Sequence, residues 1–552
     1  MVLGLLGSAS ARGGYSPLNS EPVPLAGVAG ARREDWSASD VSAGYGHGDA
    51  AGRMSPLNEV TQFAEIVLVA AGVFTLAVFS SRLSQRIRLP SAVLFLIAAA
   101  LASDLVPAFS RVLTIREVER LVSVALILIL FDGGMHVGWR RFARAAAPIL
   151  SLGVLGTFAT AGLVTAAAHY VLGFAWATAA LIGTALAPTD PAVVFSVLGK
   201  REVVGRSGTI LEGESGANDP VGIALMIGVL ELVGSDAGSP AAVVADFCVQ
   251  MAVGLAVGAA GAWVLIRLMR RVPLPGEGLY PLRTLGMAGV IFGAAVLLHG
   301  SGFLAVFVAG VLVGDGNAPY KSEIERFHAA LASLAEIVAF IALGFTIDLS
   351  SLAAQGYWWK GLVLAVLLGA ARLLVAGPLL LPVRLRWGER LFVMSSGLKG
   401  AVPILLGTFV VLAGVAQARL VYQTIFVVVA FSVMVQGSAL PWIARRLGVP
   451  MRDIEPEPWD VSIRLRHEPR GISRYVVARG AEADGAAIRD LPFGEEAWVS
   501  LVVRDGAPLQ VRGETELEAG DEVLVLAEAE SEDLLKQLFE GPARRGDLSE
   551  GG

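Results

Sequence analysis

The chain has one cysteine, few charged residues and no strong excess of either sign, and each shortage closes a class of function. Cys248, the only cysteine, lies in an apolar segment, so there is no disulfide framework and no cluster with zinc-ligand spacing. Its expected role is packing. Charged residues make up 17% of the 552, and the formal net charge is -6. The Lys and Arg residues form no single basic patch, which removes the basis for nucleic-acid binding. No G-x-x-x-x-G-K-[ST] loop is present, so ATP-driven pumping has no support. No T-V-G-Y-G filter is present either, which counts against a gated cation channel regulated by the tail. Nothing points to enzyme chemistry or to a resident cofactor.

What the chain has in quantity is apolar side chains, 55% of all residues. A hydrocarbon core about 30 Å thick asks for about 20 mostly apolar residues per helical span. Such stretches recur from about residue 59 to about residue 445, too many for one signal peptide. Hydropathy suggests about thirteen spans, centred roughly on residues 69, 97, 128, 158, 185, 222, 254, 292, 308, 338, 371, 403 and 431, the second and ninth short.

Short cytoplasmic loops carry excess Lys and Arg. On this topology Arg82, Arg86 and Arg88 fall on one side with Arg140, Arg141 and Arg144, with Lys200, Arg201 and Arg206, and with Arg267, Arg270 and Arg271. Arg384, Arg386, Arg390, Arg445 and Arg446 fall on that side too, whereas the loop at 233–240 has no positive charge and falls opposite. The expectation is an inner (plasma) membrane protein with its amino terminus outside and its carboxyl terminus in the cytoplasm.

The flanks read differently. Residues 1–57 are rich in Gly, Ala, Ser and Pro without a hydrophobic period, and they read as disordered. The opening MVLGLLGSASA lacks a basic n-region, and an over-long start with the real chain beginning at Met54 fits better. Residues 58–448 form the transmembrane domain, 449–471 an acidic, proline-bearing linker, 472–541 a compact tail and 542–552 a disordered end. In the tail RYVVARG, AWVSLVV and DEVLVLAE read as strands, AGD as a tight turn and ESEDLLKQLF as a closing helix. The fold class is therefore an all-α polytopic membrane protein with a small C-terminal α+β domain.

An ionisable side chain at bilayer depth costs at least a few kcal/mol, so each must be paired, face water or serve an ion pathway. Asp190 lies mid-span between Pro188 and Pro191, and two prolines so close predict an interrupted helix. Freed carbonyls and helix ends at that depth can coordinate a cation, with Thr189 and Asp190 supplying oxygens. The bland alternative is a kinked helix with Asp190 bonded to its neighbours. In the sixth span Glu214 and Asn218, and Ser215 and Asp219, are i,i+4 pairs on adjoining faces. Ser215 and Asp219 can point together at one ion, while Glu214 needs a countercharge. The alternative is that EGES is a membrane-edge loop.

Arg372 and Lys399 are the intramembrane positives downstream, and either could neutralise Glu214. Glycines and Pro403 around Lys399 suggest a second broken helix, and span counting then gives six, one and six spans in inverted halves. Asp132, near the inner end of the third span, reads as either a site member or an interfacial anchor. His136, His169, His299, Glu336 and Asp348 read mainly as end-of-span or packing groups.

The segments TDP and ESGANDP, taken with FDGG at 131–134, resemble the NhaP-type monovalent cation:proton antiporters over roughly residues 59–445, and within them the potassium/proton branch. The resemblance implies that Asp190, Asp219, Thr189 and Ser215 bind the cation, that Asn218 orients the site and that Glu214 pairs with Arg372. It also implies a homodimer exchanging a monovalent cation, potassium or sodium, for protons by alternating access, with one-for-one electroneutral exchange expected. One departure stands out: where the family has G-L-R-G-A, this chain has Gly397, Leu398, Lys399, Gly400 and Ala401. Lysine keeps the charge but not the planar fork. Residues 472–541 resemble the C-terminal subdomain of RCK (TrkA-C) regulatory modules, through DGAAIRDLPF and LEAGDEVLVLAE. No G-x-G-x-x-G accompanies them, so a small ligand or an ion, rather than NAD, is the expected regulator.

Overall fold

The computed structural model describes residues 91–105, 113–198, 201–203, 205–234, 239–316, 318–453, 472–492, 497–504, 507–527 and 532–541, with isolated positions between 64 and 75. The expected disordered flanks, most of the linker and the loop of Arg82, Arg86 and Arg88 lie outside the described residues. So does most of the first expected span. Contacts divide the chain into two units, Met1–Arg452 and Asp453–Gly552.

The first unit is helical. Its helices are α1 (Ser91–Leu105), α2 (Ile115–Val137), α3 (Trp139–Tyr170), α4 (Trp176–Ala185), α5 (Pro191–Leu198), α6 (Arg206–Gly234), α7 (Pro240–Arg271), α8 (Leu279–Leu297) and α9 (Gly302–Gly314). They continue as α10 (Lys321–Phe345), α11 (Leu349–Gln355), α12 (Trp358–Leu380), α13 (Trp387–Ser395), α14 (Ala401–Leu412) and α15 (Ala418–Arg446). Eight helices among the described residues are long and apolar enough to cross a membrane, and four shorter apolar helices stand beside them. The expected centres from residue 97 to residue 431 each fall in a helix or beside an interruption. Those at 97 and 308 fall in the short α1 and α9.

Local chemistry explains the boundaries. Thr114 and Glu117 form a capping box at the start of α2, with Glu117 Oε2 accepting from the Thr114 N–H at 2.8 Å. The helix stops at Gly138, whose φ of 63° suits glycine. Pro240 opens α7, where its missing N–H is no loss, and Arg270 and Arg271 sit at its negative end. Helix α7 is apolar with only 22% of its span buried, whereas 61% of α6 and 67% of α15 are buried. The first therefore faces lipid and the other two run through the interior.

Helices α2 and α9 approach almost backbone to backbone. A Cβ on Gly134 would stand 2.9 Å from Val311 N, and one on Gly314 would stand 3.0 Å from the Gly138 Cα. Small residues at four-residue spacing, Gly310 and Gly314, are what permits this seam.

The second unit is a four-stranded antiparallel sheet of β1 (Ile472–Val476), β2 (Ala497–Arg504), β3 (Ala507–Leu509) and β4 (Glu522–Ala527), in the order β1-β4-β2-β3, with α16 (Glu532–Glu540) packed on it. The three expected strands, the turn at Gly520 and the closing helix are all present. The short β3 is additional. Val523 and Val525 alternate inward beside Val499 and Val502, and Tyr475 stacks on Phe539 with ring centroids 5.2 Å apart.

Asp521 is buried in this unit and accepts from Arg504 Nε and Nη2, both at 2.8 Å. Those bonds hold its carboxyl below the ordinary aspartate range. A depressed carboxyl stabilises the fold above its unfolded value, and the contribution disappears as pH falls through the folded one. Arg504→Met should therefore cost the tail about 3 kcal/mol at neutral pH, with the deficit shrinking in acid, read as hydrogen-exchange protection of β2 and β4 in the full chain.

Candidate functional site

The two expected interruptions exist, and they face each other. Pro191 begins α5 six residues after α4 ends at Ala185, and α14 begins at Ala401 after α13 ends at Ser395. The Asp190 N–H donates to Leu398 O at 2.8 Å, joining one break to the other through the backbone. Lys399 Nζ donates to Ala187 O at 3.0 Å and to Pro188 O at 2.8 Å. These carbonyls follow the negative end of α4, so the ammonium neutralises it and satisfies acceptors that the broken helix cannot. Asp190 immediately precedes the positive end of α5, and its carboxylate lies against Gly400 at the start of α14. Any Cβ at Gly400 would collide with that carboxylate.

Helix α6 crosses beside this junction. Asn218 Nδ2 donates to Thr189 Oγ1 at 2.8 Å, and Thr189 Oγ1 donates to Glu214 Oε1 at 3.4 Å. The Glu214 and Asn218 stripe thus grips the first break, and the adjoining stripe presents Ser215 and Asp219, both buried. Asp219 lies within electrostatic reach of Asp190 and Lys399. Among the described residues, Asp219 Oδ1 and Asn218 Oδ1 are buried with no hydrogen-bond partner. Acceptor oxygens of this kind beside a second carboxylate suit a cation or a proton.

The countercharge for Glu214 is Arg372. Its guanidinium makes a bidentate pair, Nη1 to Oε1 and Nη2 to Oε2 at 2.8 Å, and Nη2 also reaches Val393 O at 3.4 Å. Lys399 does not take that role, because its bonds go to the broken helix. Its own N–H donates to Ser432 Oγ at 3.2 Å, and Ser432 Oγ donates to Gln436 Oε1 at 2.6 Å.

Asp132 has different company. Its carboxylate is 3.5 Å from His136 Nδ1, one turn along α2, and this histidine is 56% exposed. Two supporting groups were not selected from sequence, Ser432 and Gln436, because hydroxyls and amides in an apolar run carry no signal until the fold brings them to Lys399. Glu336 did carry one. A glutamate in the apolar second half of α10, it lies within electrostatic reach of Asp190, and an intramembrane ionisable residue is a functional candidate by default.

Breaking a buried ion pair costs about 3 to 5 kcal/mol because one charge is left uncompensated. Arg372→Met should lower the thermal unfolding temperature of the purified protein markedly, and adding Glu214→Gln should restore much of the loss. A double variant no more stable than Arg372→Met alone would contradict this assignment.

Comparison with known proteins agrees with this architecture. The sodium/hydrogen exchanger transmembrane family profile matches residues 73–446, and the TrkA-C domain profile matches residues 472–540. The chain is 31% identical over 480 residues to the K(+)/H(+) antiporter NhaP2 of Shewanella sp. (strain MR-4), covering 86% of this chain and 83% of that protein. It is 30% identical over 469 residues to the K(+)/H(+) antiporter NhaP of Alkalimonas amylolytica, covering 83% and 80%. The structure of the sodium proton antiporter MjNhaP1 from Methanocaldococcus jannaschii at pH 8 aligns with a TM-score of 0.59 at 21% identity, over 70% of this chain and 99% of that one. With its interrupted helices crossing at Asp190 and Lys399 and a TrkA-C domain following them in the sequence, the chain belongs to the sodium/hydrogen exchanger family of transmembrane proteins.

Proposed function

We propose that this protein exchanges a monovalent cation, potassium in preference to sodium, for protons across the cell membrane. The observation that carries the reading is the pair Asp190 and Asp219 at the junction of two interrupted helices, where Asp219 Oδ1 and Asn218 Oδ1 are buried without a hydrogen-bond partner among the described residues. The relatives at about 30% identity are K(+)/H(+) antiporters, which supports potassium. Sodium is the second reading, supported by 26% identity over 345 residues to the Na(+)/H(+) antiporter NhaH of Halobacillus aidingensis.

In this mechanism a proton and a dehydrated cation compete for Asp190 and Asp219, and the loaded core is exposed alternately to the two sides. Ser215 and the Asn218 carbonyl add oxygens, Thr189 and Asn218 hold the first break against α6, and the bond between Glu214 and Arg372 takes one charge pair out of the contest. Three carboxylates, at residues 190, 214 and 219, face two cationic groups, Arg372 and Lys399. The formal sum of minus one is cancelled by one cation or one proton, which supports electroneutral one-for-one exchange. Asp132 with His136 stands outside this set. No cofactor is required, because the proton gradient supplies the energy. Positive charge in the inner loops supports an inner-membrane protein with its carboxyl terminus in the cytoplasm. There the tail would sense a small ligand or an ion and contribute to homodimer contact, and the whole would serve pH homeostasis.

Cation-induced dequenching of a pH dye in everted vesicles tests the reading. Potassium should give the largest response, then sodium and lithium, and Asp219→Asn should abolish it. A full response in that variant would remove the site assignment. Asp132→Asn should retain most of the response. Truncation after residue 453 should preserve exchange while changing its dependence on pH or ligand, and complete loss in well-inserted protein would contradict a regulatory tail.

A further inference from the structure

Behind the ion site lies a cavity of about 400 Å³ that none of the transport steps uses. Thr189, Arg372, Lys399 and Gln436 line it, but neither Asp190 nor Asp219 does. Its outer lining includes Val366 and Leu373 of α12 and Val435 of α15, which are 64%, 47% and 51% exposed on the apolar surface of the helical unit. The mouth therefore opens toward lipid.

Its charged lining groups, Arg372 and Lys399, are both cationic. Arg372 is nine-tenths buried, and its Nε has no hydrogen-bond partner among the described residues. Lys399 is buried and gives two bonds to backbone carbonyls. Gln436 spends its carbonyl on Ser432 Oγ, and its Nε2 lies 3.3 Å from where a Cβ on Gly369 would stand. That leaves the NH2 on the cavity side. A cationic floor beneath an apolar mouth is complementary to an anionic head on an alkyl chain.

We propose that this cavity is a lipid-facing site for a single-chain carboxylate, its head on Arg372 and Gln436 and its chain along Val366, Leu373 and Val435. A carboxylate on a guanidinium is a strong, directional contact. The consequence for exchange rests on the proposed transport cycle. A fourth carboxylate beside the three already present favours the state that carries a cation or a proton. Release slows, so the maximal exchange rate and the half-saturating cation concentration both fall.

The test uses the full chain in nanodiscs and a decanoate bearing a diazirine, with labelled peptides located by mass spectrometry. Labelling should concentrate within 358–380 and 431–446, and unlabelled decanoate should compete about tenfold better than decanol. Val366→Trp and Val435→Trp, which close the mouth without touching the ion site, should each remove most of it. Labelling no stronger there than along α7, or equal competition by decanol, overturns the site. The effect on transport is read as rubidium efflux against external potassium at equal pH on both sides, where proton carriage by the acid is silent. Decanoate should slow efflux in the parent and not in Val435→Trp, and an unchanged rate in labelled parent overturns the inhibitory role. A parent that labels as expected but shows no rubidium exchange would instead sink the transport reading and leave the site standing.

Discussion

The structure depends on the way two interrupted helices complete each other. Each break exposes carbonyls and N–H groups at a depth where water cannot satisfy them. The backbone bond from Asp190 to Leu398 and the Lys399 ammonium on Ala187 and Pro188 answer that demand from within the protein. Once the crossing is made, Asp190 sits where two short helices, α5 and α14, begin. The remaining buried charge, Glu214, is removed from circulation by Arg372.

This arrangement gives the lysine in the twelfth span a physical account. The residue at that place meets two successive backbone carbonyls, which are point acceptors and do not call for a planar fork. The bidentate task is performed by Arg372, where an arginine is indeed found. The two cations are thus divided by geometry, one holding backbone and the other holding a side chain. Sequence alone left open which of them neutralises Glu214.

Much of the fold was legible because its signals are strong. Apolar runs of membrane length, Pro188 and Pro191 around Asp190, and the i,i+4 stripes of α6 each follow from local rules that tertiary context has little freedom to override. The adjoining stripes proved to have separate roles, with Glu214 and Asn218 turned to the first break and Ser215 and Asp219 beside them. Ser432 and Gln436 were illegible because they act through Lys399, a contact made across 33 residues of chain. In the tail, alternation in the valine-rich strands was sufficient, and only the three-residue β3 escaped it.

The seam between α2 and α9 has a mechanical consequence. Two backbones in contact through Gly134, Gly310 and Gly314 leave no side chains whose rotamers could take up play, so the pair behaves as one stiff strut. Next to it, the Phe307 ring of α9 packs directly against Gly216 of α6, one residue after Ser215. A bare glycine against an aromatic ring makes a smooth bearing. Any sliding of the ion-carrying helices past the strut would take place across that surface, with the ring as the fixed plate.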